Sequence, residues 1–377
     1  MRLAKASTIL RLWFAVGLVT FVAIVLVGRR MLQSMLSDGG TDDDKDRPSG
    51  TKCNLTTDVV AFSARFAERQ GLGNQLFNLA SIVYVARLSG RRPAVVELRG
   101  GTIQLDAVFR LSDLERFDDP ICSAASHSFT EARSLSYDVR IEHIAASFRS
   151  RRDSEASAVG KSIVLDGYFQ SWRYTRYVEK RLRRRYLQFV TDVRNYADGF
   201  LAASVPVDWL RGRRRRDGYG AGFVRVGVHV RRGDILKAEH VRYGFTTPEV
   251  GYYRRAMAYF AARYERVQFI VCSTDMAWSR RNIVAPMPPP PPTTSPDSAS
   301  AALVNVTYCD GRSAGRDMAV LASCDHVIMS TGTFGWWAAW LAGGTTIFYR
   351  NWPRAGSILY TRFTYEDFFP PNWISME

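Results

Sequence analysis

The stretch His229-Val230-Arg231-Arg232-Gly233-Asp234 holds the most chemically pointed residues of the chain, at the end of a β-branched run from Phe223 to Val230. Alternation along a strand puts His229 and Arg231 on one face, Val230 and Arg232 on the other. Two guanidiniums and an imidazole ending a buried strand are costly without an anion, and a diphosphate is a good bidentate match for arginine. The expectation is an anion site centred on Arg231, with Arg232 in support. A bare surface arginine pair is the competing reading. An adhesion use of Arg232-Gly233-Asp234 would want a loop tip rather than the end of a core strand.

Two other turns could serve the same anion. In Gly71-Leu72-Gly73-Asn74-Gln75 the paired glycines let backbone come close to a ligand, and the helix that follows attracts phosphate to its N-terminus. The turn lacks the third glycine of a dinucleotide fingerprint and the Lys-Ser/Thr of a P-loop, so a plain strand-to-helix connection would look the same. The segment Arg316-Asp317-Met318 through Ser330-Thr331-Gly332-Thr333-Phe334-Gly335-Trp336-Trp337 sets small hydroxyls beside glycines, offering N–H and O–H groups to phosphate oxygens. Asp317 could equally be only a favourable dipole partner at a helix start. Trp336, Trp337 and Trp340 read as core and wall. No Asp-x-Asp follows a core strand, and neither a Gly-x-Ser-x-Gly elbow nor a His-Glu-x-x-His helix occurs. Arginine rather than magnesium is therefore expected to neutralise the anion.

Stepping along the chain, short β-rich runs alternate with amphipathic stretches, the mark of parallel α/β layers. Strands are expected at Val59 to Ala67, Pro93 to Glu97, Ser162 to Asp166, Phe223 to Val230, Val267 to Ser273, His326 to Met329 and Thr345 to Tyr349. Helices are expected over Gln75 to Ser89, Trp172 to Phe189, Pro248 to Tyr264, Arg316 to Cys324 and Trp336 to Ala342, with Thr274-Asp275 capping one that begins near Met276. Each chemical turn falls at the carboxyl end of a strand, where open α/β sheets bind ligands. The arginine stretch at 211–216 reads as an exposed loop between halves, and the Pro/Ser/Thr tract 286–300 as a surface insertion.

The chain of 377 residues is long enough for two domains. Its 46% hydrophobic and 23% charged residues exclude wholesale disorder and a polytopic membrane protein. Five scattered cysteines without Cys-x-x-Cys spacing exclude a disulfide miniprotein and a structural zinc module. The net charge of +15 admits nucleic acid, anionic membrane or a phosphorylated small molecule.

Residues 9–27 form an apolar run of about 19 residues, roughly 28 Å of helix, which suits a thin membrane of the secretory pathway. A cleaved signal peptide is the alternative, but Gly28-Arg29-Arg30 is a poor cleavage site. The sequons at Asn54 and Asn305 require a lumenal location if used. The expected order is a cytoplasmic tail (1–8), a transmembrane signal anchor (9–27), a flexible stem (28–57) and two lumenal domains (58–220 and 221–377). Lumenal placement removes nucleic acid as a partner. In a lumen some cysteines can pair, with an odd one left over.

Together the turns resemble the inverting α-1,2-fucosyltransferases of glycosyltransferase family 11, through Gly71 to Phe77, Asp166 to Ser171, Val228 to Asp234 and Val327 to Trp337. The resemblance spans about Val59 to Asn351. It implies a GT-B-like pair of Rossmann-type domains behind a single N-terminal transmembrane helix, and a type II protein of the Golgi membrane. It implies GDP-fucose as donor, a β-galactoside-terminated glycan as acceptor, and no metal or other cofactor. By position, Arg231 would hold the β-phosphate and stabilise departing GDP. His229, Asp234 and Asp317 would contact guanosine, Ser330, Thr331 and Thr333 the phosphates, and Asn74 would reach the donor from the other domain. No general base is legible: Asp166, Glu97 and His240 qualify only by lying near strand ends. The alternatives are a fucosyltransferase for another sugar or a protein hydroxyl, and a non-catalytic lumenal binding protein.

Overall fold

Val226, Val228 and Val230 alternate with Gly227 and His229, and all five are buried, which marks a strand covered on both faces in the middle of a parallel sheet. The computed structural model describes residues 58–62, 70–96, 105–111, 114–117, 126–150, 161–210, 223–285 and 302–377. The expected membrane span and stem, Asn54, Glu97, the arginine stretch and the Pro/Ser/Thr tract lie outside these residues. Among the described residues no helix is long and apolar enough to cross a membrane.

The first half contains β1 (Val59–Phe62), α1 (Leu72–Ser89), β2 (Arg92–Val96), β3 (Glu115–Phe117), β4 (Ser126–Thr130), α2 (Arg140–Ser150) and β5 (Ser162–Asp166), followed by α3 (Thr191–Ala203). Its parallel sheet has the order β3-β2-β1-β5-β4. The second half contains β6 (Val224–Val230), α4 (Val250–Ala261), β7 (Arg266–Ser273), α5 (Met276–Asn282), β8 (Leu303–Tyr308), α6 (Ala314–Ala322), β9 (His326–Met329), α7 (Thr333–Ala342), β10 (Thr346–Tyr349) and β11 (Ile374–Met376). This parallel sheet has the order β11-β10-β9-β6-β7-β8. Numbered within the half, that is 3-2-1-4-5-6 read from the other edge, the Rossmann order, with the switch of winding direction between β6 and β9.

The two halves share a core. Helix α1, buried on nearly every side, packs across to α7: Phe77 lies 4.6 Å from Trp336 and 5.1 Å from Trp337 between ring centroids. A helix apolar all round must be enclosed, and α7 is enclosed by both sheets' partners. The C-terminal segment also returns to the first half. Asp367 accepts from Tyr137 N and Ser136 Oγ and pairs with Arg173 at 2.8 Å, while Ser171 Oγ donates to Asp367 O.

The strand positions follow the sequence pattern closely, with β5 and β9 as expected. The single helix expected from Trp172 to Phe189 is instead broken. Ser171 caps a 3-10 turn at Trp172–Tyr174, and a short helix then runs into a wide π turn at Leu182–Tyr186. Tertiary contacts override the periodicity: Trp172 Nε1 donates to Glu366 O, and Tyr174 is buried against Tyr84 and Phe169. Within this broken segment, the basic stretch Lys180 to Arg185 uses an arginine side chain in packing. Arg183 donates to Leu341 O at 2.9 Å and to Trp340 O, and its guanidinium lies 4.1 Å from the Trp340 ring centroid, so it closes the C-terminal end of α7.

Cys272, ending β7, is bonded to Cys309 just after the neighbouring β8, and Cys324 is free and buried. Asn305 sits within β8, half-buried, its Nδ2 donating to Thr307 Oγ1 at 3.2 Å.

Candidate active site

The carboxyl ends of β6 and β9 diverge at the switch point, and the chain that follows each of them bounds a cavity of about 390 Å³. His229, Arg231 and Asp234 line it from β6, Thr333 and Phe334 from the start of α7, Asp317 from α6, and Gly71 to Asn74 from the first half. The structure thus brings Asn74, His229, Arg231, Asp234, Asp317 and Thr333 together. Ser330, Thr331 and Arg232 are not among the lining residues.

Arg231 is held by its neighbours rather than left loose. Its N–H donates to Ser330 Oγ at 2.9 Å, and its Nη2 meets Asp234 Oδ2 at 2.9 Å, so Ser330 acts on the anion site through Arg231. A Cβ built on Gly332 would lie 2.6 Å from Arg231 Nη1, and that glycine has φ +86°, so no other residue fits there without displacing the guanidinium. Alternation works as expected for Arg232. Its guanidinium lies on the opposite face, 4.0 Å from the Trp278 ring centroid and 3.7 Å from Asp275. Thr331 is buried, and its Oγ1 has no partner among the described residues.

His229 is buried, with Ser330 Oγ 3.1 Å from its Nδ1 and Phe334 packed on its ring. Burial, with Arg231 adding to it, pushes its pKa down to about 3, so the ring is neutral at physiological pH. Asp317 is 8% exposed, and its Oδ1 has no hydrogen-bond partner among the described residues. Burial, reinforced by the charge of Asp310, raises its pKa to about 7. Cys272, Cys309 and Asp317 are close enough to suggest a metal site, but both sulfurs are committed to the disulfide.

Asn74 joins the halves. Its Oδ1 accepts from Thr333 Oγ1 at 2.7 Å and from Gln170 Nε2 at 2.9 Å. Both acceptor lone pairs being used, the Nδ2 of Asn74 is the part left to serve a ligand. Gln170 lies inside a motif visible in the sequence, but its bond to Asn74 depends on a turn with positive φ at Phe169. That turn is held by Glu131, whose carboxylate accepts from Tyr168 N at 2.8 Å and whose pKa burial raises to about 7. Neither role has a local sequence signal.

A second cavity, also about 390 Å³, lies beyond the first and shares Asn74, Arg231 and Thr333 with it. The aromatic rings of Tyr168, Tyr243, Phe245 and Trp352 form part of its remaining lining, with Leu135 and Leu359 and the polar Ser134, Gln170 and His240. Among the three base candidates, His240 lies here, Asp166 lines neither cavity, and Glu97 is outside the described residues.

A Rossmann-type half with a guanidinium and a buried carboxylate at its switch point, faced by a second half and a second cavity, is an arrangement that suits a group-transfer enzyme. The description "Glycosyl transferase family 11" matches residues 222–377. Galactoside alpha-(1,2)-fucosyltransferase 1 of Pan troglodytes is 30% identical over 307 residues, which is 81% of this chain and 72% of that protein. The protein of the same name in Homo sapiens is 30% identical over 307 residues, with the same shares covered. Galactoside 2-alpha-L-fucosyltransferase SEC1 of Bos taurus is 31% identical over 217 residues, 58% of this chain and 52% of that protein. A crystal structure of apo POFUT1 aligns over 79% of this chain and 99% of that one, at 10% identity and a TM-score of 0.43, too low to argue from. The chain belongs to glycosyl transferase family 11, the family of the galactoside α-(1,2)-fucosyltransferases, and is an enzyme of that family.

Proposed function

We propose that the chain transfers L-fucose from GDP-fucose, with inversion and without a metal ion, to the 2-hydroxyl of a terminal β-galactose. One observation carries the donor: a single cavity holds a guanidinium and a buried carboxylate with an unpartnered oxygen. An unmet buried acceptor costs about 1–3 kcal/mol, which a ligand recovers by donating to it. Guanine offers adjacent N1–H and N2–H donors to the two oxygens of Asp317. The diphosphate then falls to Arg231, to Thr333 and to the N–H groups that open α7. Fucose and the galactose 2-hydroxyl are supported by family membership and by the names of the relatives.

The chemistry is displacement at the anomeric carbon. The acceptor oxygen enters from the face opposite the phosphate, the C1–O bond to phosphate breaks, and GDP leaves with the electron pair. Arg231 is suited to stabilise that charge, the task a metal performs in other transferases. The paired sheets facing one site support a GT-B-like description. The apolar run 9–27 and the sequons support a type II protein of the Golgi membrane.

The test is incubation of the full-length protein in detergent with GDP-fucose and a β-galactoside, with and without EDTA, followed by linkage analysis. A 2-linked α-fucoside formed equally well in EDTA is expected. No transfer, another linkage, or loss of turnover in EDTA would sink the proposal.

Asp317 adds a pH signature. Its folded pKa is raised, so in the donor-free protein its contribution to stability is present below the ordinary value of 3.8 and lost as pH rises through about 7. Guanine N–H groups favour the ionised form, so donor binding must first release that proton. The KM for GDP-fucose should be flat above pH 7 and rise by roughly tenfold per pH unit below it. Asp317→Asn should raise KM above pH 7, where the wild-type carboxylate is ionised, and flatten the profile. A wild-type KM independent of pH from 5.5 to 8 would remove Asp317 from the donor site.

A further inference from the structure

We infer that the second cavity receives the acceptor sugar and that His240 is the general base that takes the proton from its attacking hydroxyl. The inference rests on the donor reading above and assigns what that reading leaves open.

The two cavities meet at Arg231, Asn74 and Thr333, which line both. If the diphosphate lies on Arg231 in the first, the anomeric carbon faces the second, and a nucleophile attacking from the side opposite the leaving group must come from there. The second cavity suits a hexose. Aromatic faces cover the C–H surface of a sugar, and a few polar groups meet its hydroxyls. Tyr243 and Phe245 lie 6.1 Å apart with ring planes at 30°, and Phe245 continues to Trp352 at 6.5 Å. Tyr168 and Gln170 contribute from the first half, so the cavity is complete only when both halves are in place.

His240 is oriented by one bond. Its Nδ1 lies 2.7 Å from the main-chain carbonyl oxygen of Asp234. A carbonyl only accepts, so Nδ1 carries the hydrogen and Nε2 of the neutral ring keeps its lone pair. No protein group pairs with Nε2 among the described residues. Asp234 therefore positions both ends of the reaction: its carboxylate holds Arg231 at 2.9 Å, and its carbonyl fixes the tautomer of His240. The 3-10 turn at Gly233–Leu236 and the short helix Ala238–Tyr243 make this a stiff connection.

In the step, the acceptor O–H bond breaks as the new C1–O bond forms, and the proton passes to Nε2. The C1–O bond to phosphate breaks and its electron pair leaves with GDP on Arg231. The products are the 2-linked fucoside, GDP and an imidazolium that loses its proton to solvent. The other charged or titratable groups facing His240 across the cavity are Arg231, Tyr168 and Tyr243.

Three variants test this against wild type: His240→Ala, His240→Gln and Tyr168→Ala, each assayed for kcat and for both KM values. Both His240 variants should lose about 10²- to 10⁴-fold in kcat, the range for a general base, with the donor KM within about twofold of wild type. Tyr168 is 39% exposed, so its removal spares the core; the acceptor KM should rise about tenfold with donor KM unchanged. A kcat within about threefold of wild type in either variant overturns the base. An unchanged acceptor KM in Tyr168→Ala overturns the cavity assignment. If His240→Ala fails to fold, His240→Gln decides. If wild type makes no 2-linked fucoside, the proposed function has failed; if wild type makes it and the variants behave as wild type, only this inference has.

Discussion

Arg231→Ala should lower fucosyl transfer by about 10³- to 10⁵-fold, the range for an arginine that stabilises charge on a transferring phosphate. The size follows from where charge develops. Departing GDP gains negative charge in a partly closed cavity, and Arg231 is the guanidinium lining both cavities. Its position is fixed in advance by Ser330 Oγ on its main chain and Asp234 on its side chain. Preorganised charge of this kind requires no reorganisation at the moment of reaction. Arg231→Lys should restore only part of the loss, because an ammonium cannot reproduce a bidentate fork. The fold should be indifferent. Asp234 is 49% exposed at its side chain, and so open an ion pair contributes about 0–1 kcal/mol. Steady-state kinetics with parallel thermal melts check both halves of the expectation. Near-wild-type turnover in Arg231→Ala would mean that the diphosphate binds elsewhere.

Gly73→Ala is expected to damage both activity and stability. A Cβ at Gly73 would lie 2.6 Å from Phe334 N and 2.6 Å from the carbonyl carbon of Thr333. Both are backbone atoms at the start of α7, so no side chain can swing aside. Helix α1 must shift against α7, which strains the packing of Phe77 on Trp336 and Trp337. Overpacking of this kind costs about 1–3 kcal/mol. The same shift pulls Asn74 from Thr333, 2.7 Å apart across the join, and displaces the donor-facing groups. Misplacement by about 1 Å can cost 10²-fold in rate, so a loss of that order in kcat/KM is expected. Gly199→Ala is the contrast: nothing lies within 4 Å of its Cβ in α3, so alanine there should stabilise by roughly 0.5–1 kcal/mol. Unchanged melting and activity in Gly73→Ala would show that the two helices do not meet so closely in solution.

The sequence made the four central strands of the second half easy to read, while the edge strands β8 and β11 were not expected. The run Val226-Gly227-Val228-His229-Val230 must be a buried parallel strand, because both alternating faces carry small or apolar groups. The same alternation correctly separated Arg231, in the cavity, from Arg232 behind it. Strand-end placement put His229, Arg231 and Thr333 at one sheet edge, whereas Asp317, near a helix start, was expected at the donor only from the family resemblance. In the first half, β3, β4 and α2 carried too weak a pattern to be seen: β3 has no fully buried side chain and β4 has one, Phe129. The broken segment after Ser171 was misread because its periodicity is helical while its contacts are with the distant C-terminal residues Glu366 and Asp367.

Residue type and local periodicity alone determined that an arginine ends a buried strand, the position from which an anion site was expected, since those properties depend on neighbours a few positions away. Tertiary structure decided what lies across the cleft. It supplied the unpartnered carboxylate of Asp317, the seat of Asn74 between Gln170 and Thr333, and the carbonyl that fixes the tautomer of His240. Gln170 and Thr333 are far from Asn74 in sequence, and no local rule couples them. The packing of α1 against α7 brings Thr333 to Asn74, and the pairing of β1 with β5 brings Gln170, because a bond about 3 Å long requires each of these packings to be in register.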